Sequence, residues 1–273
     1  MTMKLPDYHI HTTLCNHASG EMEVYVDRAV ELGLEEIGFA EHMPVMPEPH
    51  LCLSYDDLPY YVDRVMELRD RYAGIITIRL GAEMDMDLER TEEIIRIIEH
   101  YDFDYVIGSI HYLGDWPFDQ VQYKDRFEQG NIEEVYERFF ETIMRAARSG
   151  LYDIAGHPDN LKRMGYRPST DLTALYKEVA TVFKEMDVAA ELNTSGYDYP
   201  AREAYPSPVF LEILRKHDIP ITVGSDSHKP EHVGRHFEKV SALLSDAGYD
   251  SVAYFQKRER TLRTLTSRSV MAD

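Results

Sequence analysis

The chain has 273 residues, 44% of them apolar, which is enough for one sizeable globular core. Its 29 Lys+Arg against 49 Asp+Glu give a formal net charge of -20, which argues against unguided binding to nucleic acid or to an anionic membrane. Two cysteines, Cys15 and Cys52, and no signal-peptide core or membrane-length apolar run predict a cytoplasmic protein without a disulfide framework.

In chain order, short apolar runs ending in polar residues alternate with longer stretches of helical spacing. The first run ends in "LPDYHIH" and leads to the amphipathic "EMEVYVDRAVELGL", with Gly33 as C-cap candidate. "EEIGFAEH" is followed by a Pro- and Met-rich connection, "MPVMPEPHLCLSYDDLP", and then by the helix "YYVDRVMELRDRY" with Gly74 beyond it. "ITIRLGAEMD" precedes "LERTEEIIRIIEH". "FDYVIGSIH" precedes a second long connection, "YLGDWPFDQVQYKDRFEQG", which carries the only tryptophan, Trp116. The helix "IEEVYERFFETIMRAARSG", ending at Gly150, comes next. "YDIAGHPD" leads to "LTALYKEVATVFKEMD", and "VAAELNTSG" to a helix opened by Ser207 and Pro208 as N-cap and first position. The seventh run ends in "IPITVGSDSH". Strands alternating with helices, with no linker to divide them, predict one α/β domain over residues 1–273 and a parallel sheet closed into a barrel. Both long connections follow strand C-termini, where active-site lids belong.

The strand-ending polar residues are mostly of one kind: His9, His11, His42, Glu83, His111, His157, Asp226 and His228. A parallel barrel brings all of its strand C-termini to one face, so these residues converge. His17, in the turn after the first strand, can bend back over the same face. In H-x-H and D-x-H the two side chains lie two apart and share one side of the strand. Imidazole and carboxylate together are a ligand set for zinc, iron or manganese. Singly, each has an ordinary use: a polar strand end for His42 or His157, a helix cap for Asp159, a basic partner for Glu83. Together, seven imidazoles and two carboxylates gathered without cations would be costly through repulsion and desolvation. His50, His100, His217, His232 and His236 read as surface residues.

The segments "DYHIHTTLCNH", "GFAEHMP", "GAEMD", "GSIHYLGDWPFD", "AGHPDNLKRMG", "ELNTSG" and "TVGSDSHKPEHVG" resemble the polymerase-and-histidinol-phosphatase (PHP) superfamily, and within it the histidinol-phosphatase branch. The resemblance covers nearly the whole chain. It implies a distorted (β/α)7 barrel with two to three divalent metal ions at its C-terminal face. His9, His11 and Asp226 would hold the first, Glu83 would bridge it to a second held by His111 and His157, and His17, His42 and His228 would surround the third. Many family members carry Asp where this chain has His17. Cys15 is left out of the set, and Asp7 is expected to hydrogen-bond an imidazole N–H.

The same resemblance implies hydrolysis of L-histidinol phosphate, a late step of histidine biosynthesis, with free phosphate as product. Divalent cations suit this chemistry because they lower the pKa of a coordinated water, clamp phosphoryl oxygens and attract a phosphate to an acidic protein. Asp226 or His228, beside Glu83, is expected to protonate the leaving alkoxide. Of the basic loop residues Lys162, Arg163, Arg167 and Arg202, Arg163 and Arg202 are the favoured phosphate contacts, with solvated charge as their ordinary use. Tyr112, Trp116 and Phe118 could stack on the imidazole of the substrate, and Asp115 or Asp119 could take its ammonium. Loop packing is the competing use of Trp116. Two further functions fit the motifs: a phosphatase or phosphodiesterase acting on nucleotides or other small phosphorylated metabolites, and a non-catalytic metal-binding module.

Overall fold

The computed structural model describes residues 5–86 and 88–265. Its first half contains β1 (Pro6–Ile10), α1 (Met22–Leu32), β2 (Glu36–His42), α2 (Leu58–Arg71), β3 (Thr77–Asp85), α3 (Thr91–His100) and β4 (Tyr105–Ser109). A small hairpin, β5 (Tyr112–Leu113) and β6 (Trp116–Pro117), then precedes α4 (Arg126–Gln129) and α5 (Ile132–Ala147). The remainder is β7 (Ile154–Ala155), α6 (Thr173–Glu185), β8 (Ala189–Asn193), α7 (Pro208–Lys216), β9 (Ile221–Gly224), α8 (Val240–Ala247), β10 (Ser251–Gln256) and β11 (Glu259–Thr264).

The seven predicted strands form one parallel sheet in the order β1-β2-β3-β4-β7-β8-β9. Its edges meet just beyond β9, where His11 N–H donates to Ser227 O and Ser227 N–H to His9 O, both at 2.9 Å. The strands are almost wholly buried, as strands covered on both faces must be. Side chains fill the barrel. The Tyr105 ring lies across β2 and β3 where Gly38 and Gly81 leave room: a Cβ at Gly81 would stand 2.3 Å from the ring, and one at Gly38 2.0 Å from its hydroxyl. That hydroxyl donates to Tyr8 O at 2.7 Å, tying the floor of the barrel to β1.

Ser207 caps α7 as predicted, accepting from Phe210 N–H, with Pro208 in the first turn. Gly33 caps α1 in left-handed conformation. Gly74 and Gly150 are left-handed too, but they bend the chain further on, because α2 and α5 have Tyr72 and Arg148 as their C-caps. The β10–β11 hairpin beneath the barrel has no counterpart among the predicted elements. Its two-residue turn, Lys257 and Arg258, is left-handed at both positions (φ 52 and 61) without the Asn or Gly that usually announces such a turn. The conformation is held from outside: Lys257 N–H donates to Asp104 Oδ1 at 3.2 Å and Arg258 N–H to Asp104 O at 2.8 Å. Among the described residues, no helix is long and apolar enough to cross a membrane.

Candidate active site

All nine predicted ligand residues meet at the C-terminal end of the barrel. Glu83 stands at the centre, placed opposite His42 by the β2–β3 register. Its Oε1 is 3.2 Å from His9 Nε2, 3.2 Å from His157 Nε2 and 3.6 Å from His111 Nε2. Its Oε2 is 2.8 Å from His42 Nδ1 and 3.5 Å from His11 Nε2. Asp226 Oδ1 lies 3.5 Å from His11 Nε2 and 3.4 Å from His228 Nδ1. His17 Nε2 faces His228 Nε2 at 3.0 Å. The β1–β2 register slips between Asp7 and Ile10, a bulge of the kind that re-aims a side chain, here at His9. His157 and Asp226 have left-handed backbones (φ 25 and 54), the local strain that binding sites often store.

Among the described residues, five groups of potential ligand atoms fall within 4.8 Å of one another: His9, His11 and Asp226; His9, Glu83 and His157; His11, His42 and Glu83; His17, His42 and His228; and His11, Cys15 and His228, with His111 in none of them. The donors fit divalent cations. His9 Nε2 and His11 Nε2 are buried without a hydrogen-bond partner, so the chain leaves inward-facing lone pairs unused. The other ring nitrogens are fixed from behind: His9 Nδ1 by Glu191 Oε1 at 2.7 Å, His11 Nδ1 by Glu41 Oε1 at 3.3 Å, His111 Nδ1 by Asp85 Oδ2 at 3.2 Å and His17 Nδ1 by Cys15 O at 2.8 Å. Such contacts select the tautomer that offers Nε2 to a metal.

The electrostatics agree. Burial pulls His11 down, but the nearby carboxylates of Asp226, Glu41 and Glu83 outweigh it and leave the ring at about 9. Burial, opposed by Glu83 and reinforced by His11, pushes His42 down to about 3. Burial works upward on Glu83, yet His9, His42 and His111 hold it well below the usual carboxylate range. Neighbouring rings are thus pushed in opposite directions, His11 upward by the carboxylates around it and His42 downward by burial beside His11, a conflict that cations at the centre would remove.

Three buried carboxylates in this arrangement, Glu41, Asp85 and Glu191, are absent from the sequence reading. Their available signal was position: Glu41 precedes His42, Asp85 lies two after Glu83, and Glu191 sits on the one barrel strand whose end offers no ligand. Asp7 corrects an expectation. Its carboxylate accepts from the backbone N–H groups of Ser225 and Gly234 and from Ser225 Oγ, and it fastens β1 to the turn after β9 rather than contacting an imidazole. Cys15 Sγ can group with His11 and His228, but its thiol points to Thr12 O at 3.1 Å, and burial pushes its pKa up.

A cavity of ≈ 490 Å³ opens over the cluster. Both long connections line it, through Met46 and Leu51 from one and Tyr112, Asp119 and Gln120 from the other, and Gln120 Nε2 donates to Glu48 Oε2 at 3.1 Å between them. Arg163 reaches in with its guanidinium 3.7 Å above the Tyr199 ring and 3.5 Å from Asp119 Oδ2, its buried Nε unpartnered. Arg202 does not line the cavity; its left-handed backbone turns the side chain to Tyr197 O at 3.3 Å. Trp116 also stays out: its ring packs on Phe127 at 4.5 Å and its N–H donates to Tyr123 O. Phe118 is buried against Phe139, and exposed Asp115 pairs with Arg126. His232, read as a surface residue, lines the cavity instead, because the turn after β9 folds back over the mouth. Beside it Arg235 donates to Ser225 O and Asp226 O, both at 2.7 Å, and props the backbone of Asp226.

A protein-family model described as the PHP domain matches residues 7–195, and one described as PHP-associated matches residues 211–243. The chain is 33% identical to a probable histidinol-phosphatase of Deinococcus radiodurans, over 93% of this chain and 98% of that protein. It is 27% identical to a histidinol-phosphatase of Bacillus subtilis, over 86% of this chain and 98% of that one. The crystal structure of a histidinol phosphate phosphatase from Lactococcus lactis, complexed with zinc, L-histidinol and phosphate, matches the fold with a TM-score of 0.80 at 26% identity, covering 94% of this chain and 99% of that one.

Proposed function

The chain belongs to the PHP-domain family, in its histidinol-phosphatase branch, and from that premise we propose that it hydrolyses L-histidinol phosphate to histidinol and phosphate, using two to three divalent cations at the upper end of the barrel. The observation that carries this reading is the set of inward-facing imidazole nitrogens around Glu83, left without partners by the chain itself. The Lactococcus relative, bound to zinc, L-histidinol and phosphate, supports it. His9, His11 and Asp226 would hold one ion, Glu83 with His111 and His157 a second, and His17, His42 and His228 a third. Zinc, iron and manganese all suit this donor set. When bound, the ions supply a lowered water pKa and positive charge against the phosphoryl oxygens.

The remaining work falls to residues of the cavity, within a single domain. Arg163 offers a guanidinium fork to two phosphoryl oxygens, oriented by the face of Tyr199. Asp119 and Tyr112 face the non-phosphate part of the ester, the carboxylate toward its ammonium. Asp226 and His228 line the cavity, and that pair would pass to the leaving alkoxide the proton it takes up from the attacking water. Phosphate release across a panel of phosphate esters tests the assignment: histidinol phosphate should exceed a generic aryl phosphate in kcat/KM by about a hundredfold or more, the discrimination expected of a site that pairs polar groups of its substrate. Equal turnover would transfer the site to nucleotides or other small phosphorylated metabolites.

A further inference from the structure

We propose that Lys162 is a positioning residue whose buried ammonium locks together the two loops that carry Arg163 and Tyr199, and so sets the affinity for phosphate. The proposal rests on the reading of the cavity as a phosphate-ester site. Lys162 is 2% exposed and lies outside the cavity lining. Its Nζ has acceptors on two loops: Asp159 Oδ2 at 2.8 Å on its own loop, and Glu203 Oε1 at 2.7 Å and Ala204 O at 2.9 Å on the loop after β8. An ammonium has three protons to place, and burial is tolerable only when all are used, as they are here.

The two loops have little else to hold them in register. β7 and β8 pair only through Ile154 with Ala189 and Ala155 with Ala190, below the level of the site. Above that level the polar links among the described residues include Lys162, His157 N–H to Glu191 Oε2 at 2.7 Å, Ser207 N–H to Asp159 Oδ2 at 2.8 Å, Ala201 N–H to Arg163 O at 3.2 Å, and Arg167 to Glu203 and Ala201 O at the outer edge. Arg163 stacks on Tyr199 across this junction, and among the described residues its one ion pair is with Asp119 at 3.5 Å. A guanidinium with so few polar contacts takes its aim from its backbone, which is tied to the opposite loop by Ala201 N–H at its own carbonyl and by the buried ammonium of its neighbour, Lys162.

The test measures KM for histidinol phosphate and Ki for inorganic phosphate in the metal-loaded protein. Lys162→Met should raise both by about tenfold, the scale of a sub-ångström misplacement of a binding group, with kcat changed much less and bound metal unchanged. Because the lysine acts through Arg163, Lys162→Met should add nothing to Ki in an Arg163→Ala background. Glu203→Gln, which loosens the bond between the loops while leaving the Lys162–Asp159 pair intact, should raise Ki in the same direction and decides the matter if Lys162→Met does not fold. The proposal is overturned if both single variants leave Ki unchanged, or if their effects multiply with that of Arg163→Ala. If Arg163→Ala itself leaves Ki unchanged, the phosphate-clamp reading falls and takes the lysine with it. If only Arg163→Ala raises Ki, the lysine role alone falls.

Discussion

At the lower end of the barrel three acids, Glu36 and Asp104 buried and Asp153 half-buried, each meet an arginine. Glu36 accepts from Arg79 Nε at 2.6 Å and from the Tyr8 hydroxyl, Asp104 from Arg69 Nη2 at 2.5 Å, and Asp153 from Arg258 Nε at 2.8 Å. At the upper end Glu83 is ringed by five imidazoles, and no guanidinium or ammonium of the described residues forms an ion pair with it. Charge is buried at both ends, but the lower acids meet arginines while Glu83 has only imidazoles around it among the described residues. A network satisfied by its own side chains closes a fold; one left short of cations is arranged for something the chain does not supply. Breaking one contact at each end should therefore separate catalysis from folding.

The largest effect belongs to the centre of the upper cluster. Glu83→Gln keeps the shape and removes the charge that faces five rings, so kcat/KM should fall by about a thousandfold or more while circular dichroism shows the barrel intact. Activity within tenfold of the parent would mean that the chemistry lies elsewhere. One layer out, Glu191 takes His9 Nδ1 with one oxygen and His157 N–H, at 2.7 Å, with the other. Glu191→Gln weakens the hold on His9 without touching a ligand atom, and metal affinity should drop by about 10–100-fold, read by chelator competition. Excess metal should then restore most of the activity; failure to do so would give Glu191 a part beyond positioning His9.

The two ends also differ in how much of them is legible in the sequence. The seven strands and the nine candidate ligand residues can be read because six of the seven strands are short apolar runs that stop at an imidazole or a carboxylate, and a parallel barrel turns that repetition into one place. Glu41, Asp85 and Glu191 give no such signal, since an acid inside a strand acquires meaning only when the ring behind it is located. Arg163 and Arg202 are equivalent in sequence, and a left-handed backbone at Arg202 removes one of them from the cavity. At the lower end the hairpin turn Lys257–Arg258 lacks Asn and Gly, because its strained conformation is enforced by Asp104 and Asp153, more than a hundred residues away.

That turn provides the smallest predicted effect on activity and the sharpest check of the contrast. Arg258 is left-handed (φ 61), a conformation Asn tolerates, so Arg258→Asn deletes the guanidinium without forcing the backbone to move. Asp153 is then left beneath the barrel with Val106 N–H at 2.8 Å but without its cation. Unfolding free energy should fall by about 2–3 kcal/mol, below the full cost of breaking a buried pair because the arginine is partly exposed. Burial already raises the pKa of Asp153 in spite of Arg258, and without the arginine it rises further. The penalty is therefore complete at pH values above that raised pKa, where the carboxylate is ionised and alone, and shrinks as pH falls through it and the folded variant takes up a proton. Denaturant melts at about pH 8 and about pH 5 should show the two proteins converging at the lower pH. The kcat/KM of the folded variant should stay within about twofold, because a change confined to the lower end leaves the ring around Glu83 in place. A tenfold loss of activity at unchanged stability would show that the lower end is coupled to the cluster above it, and that the division of labour between the two ends is wrong.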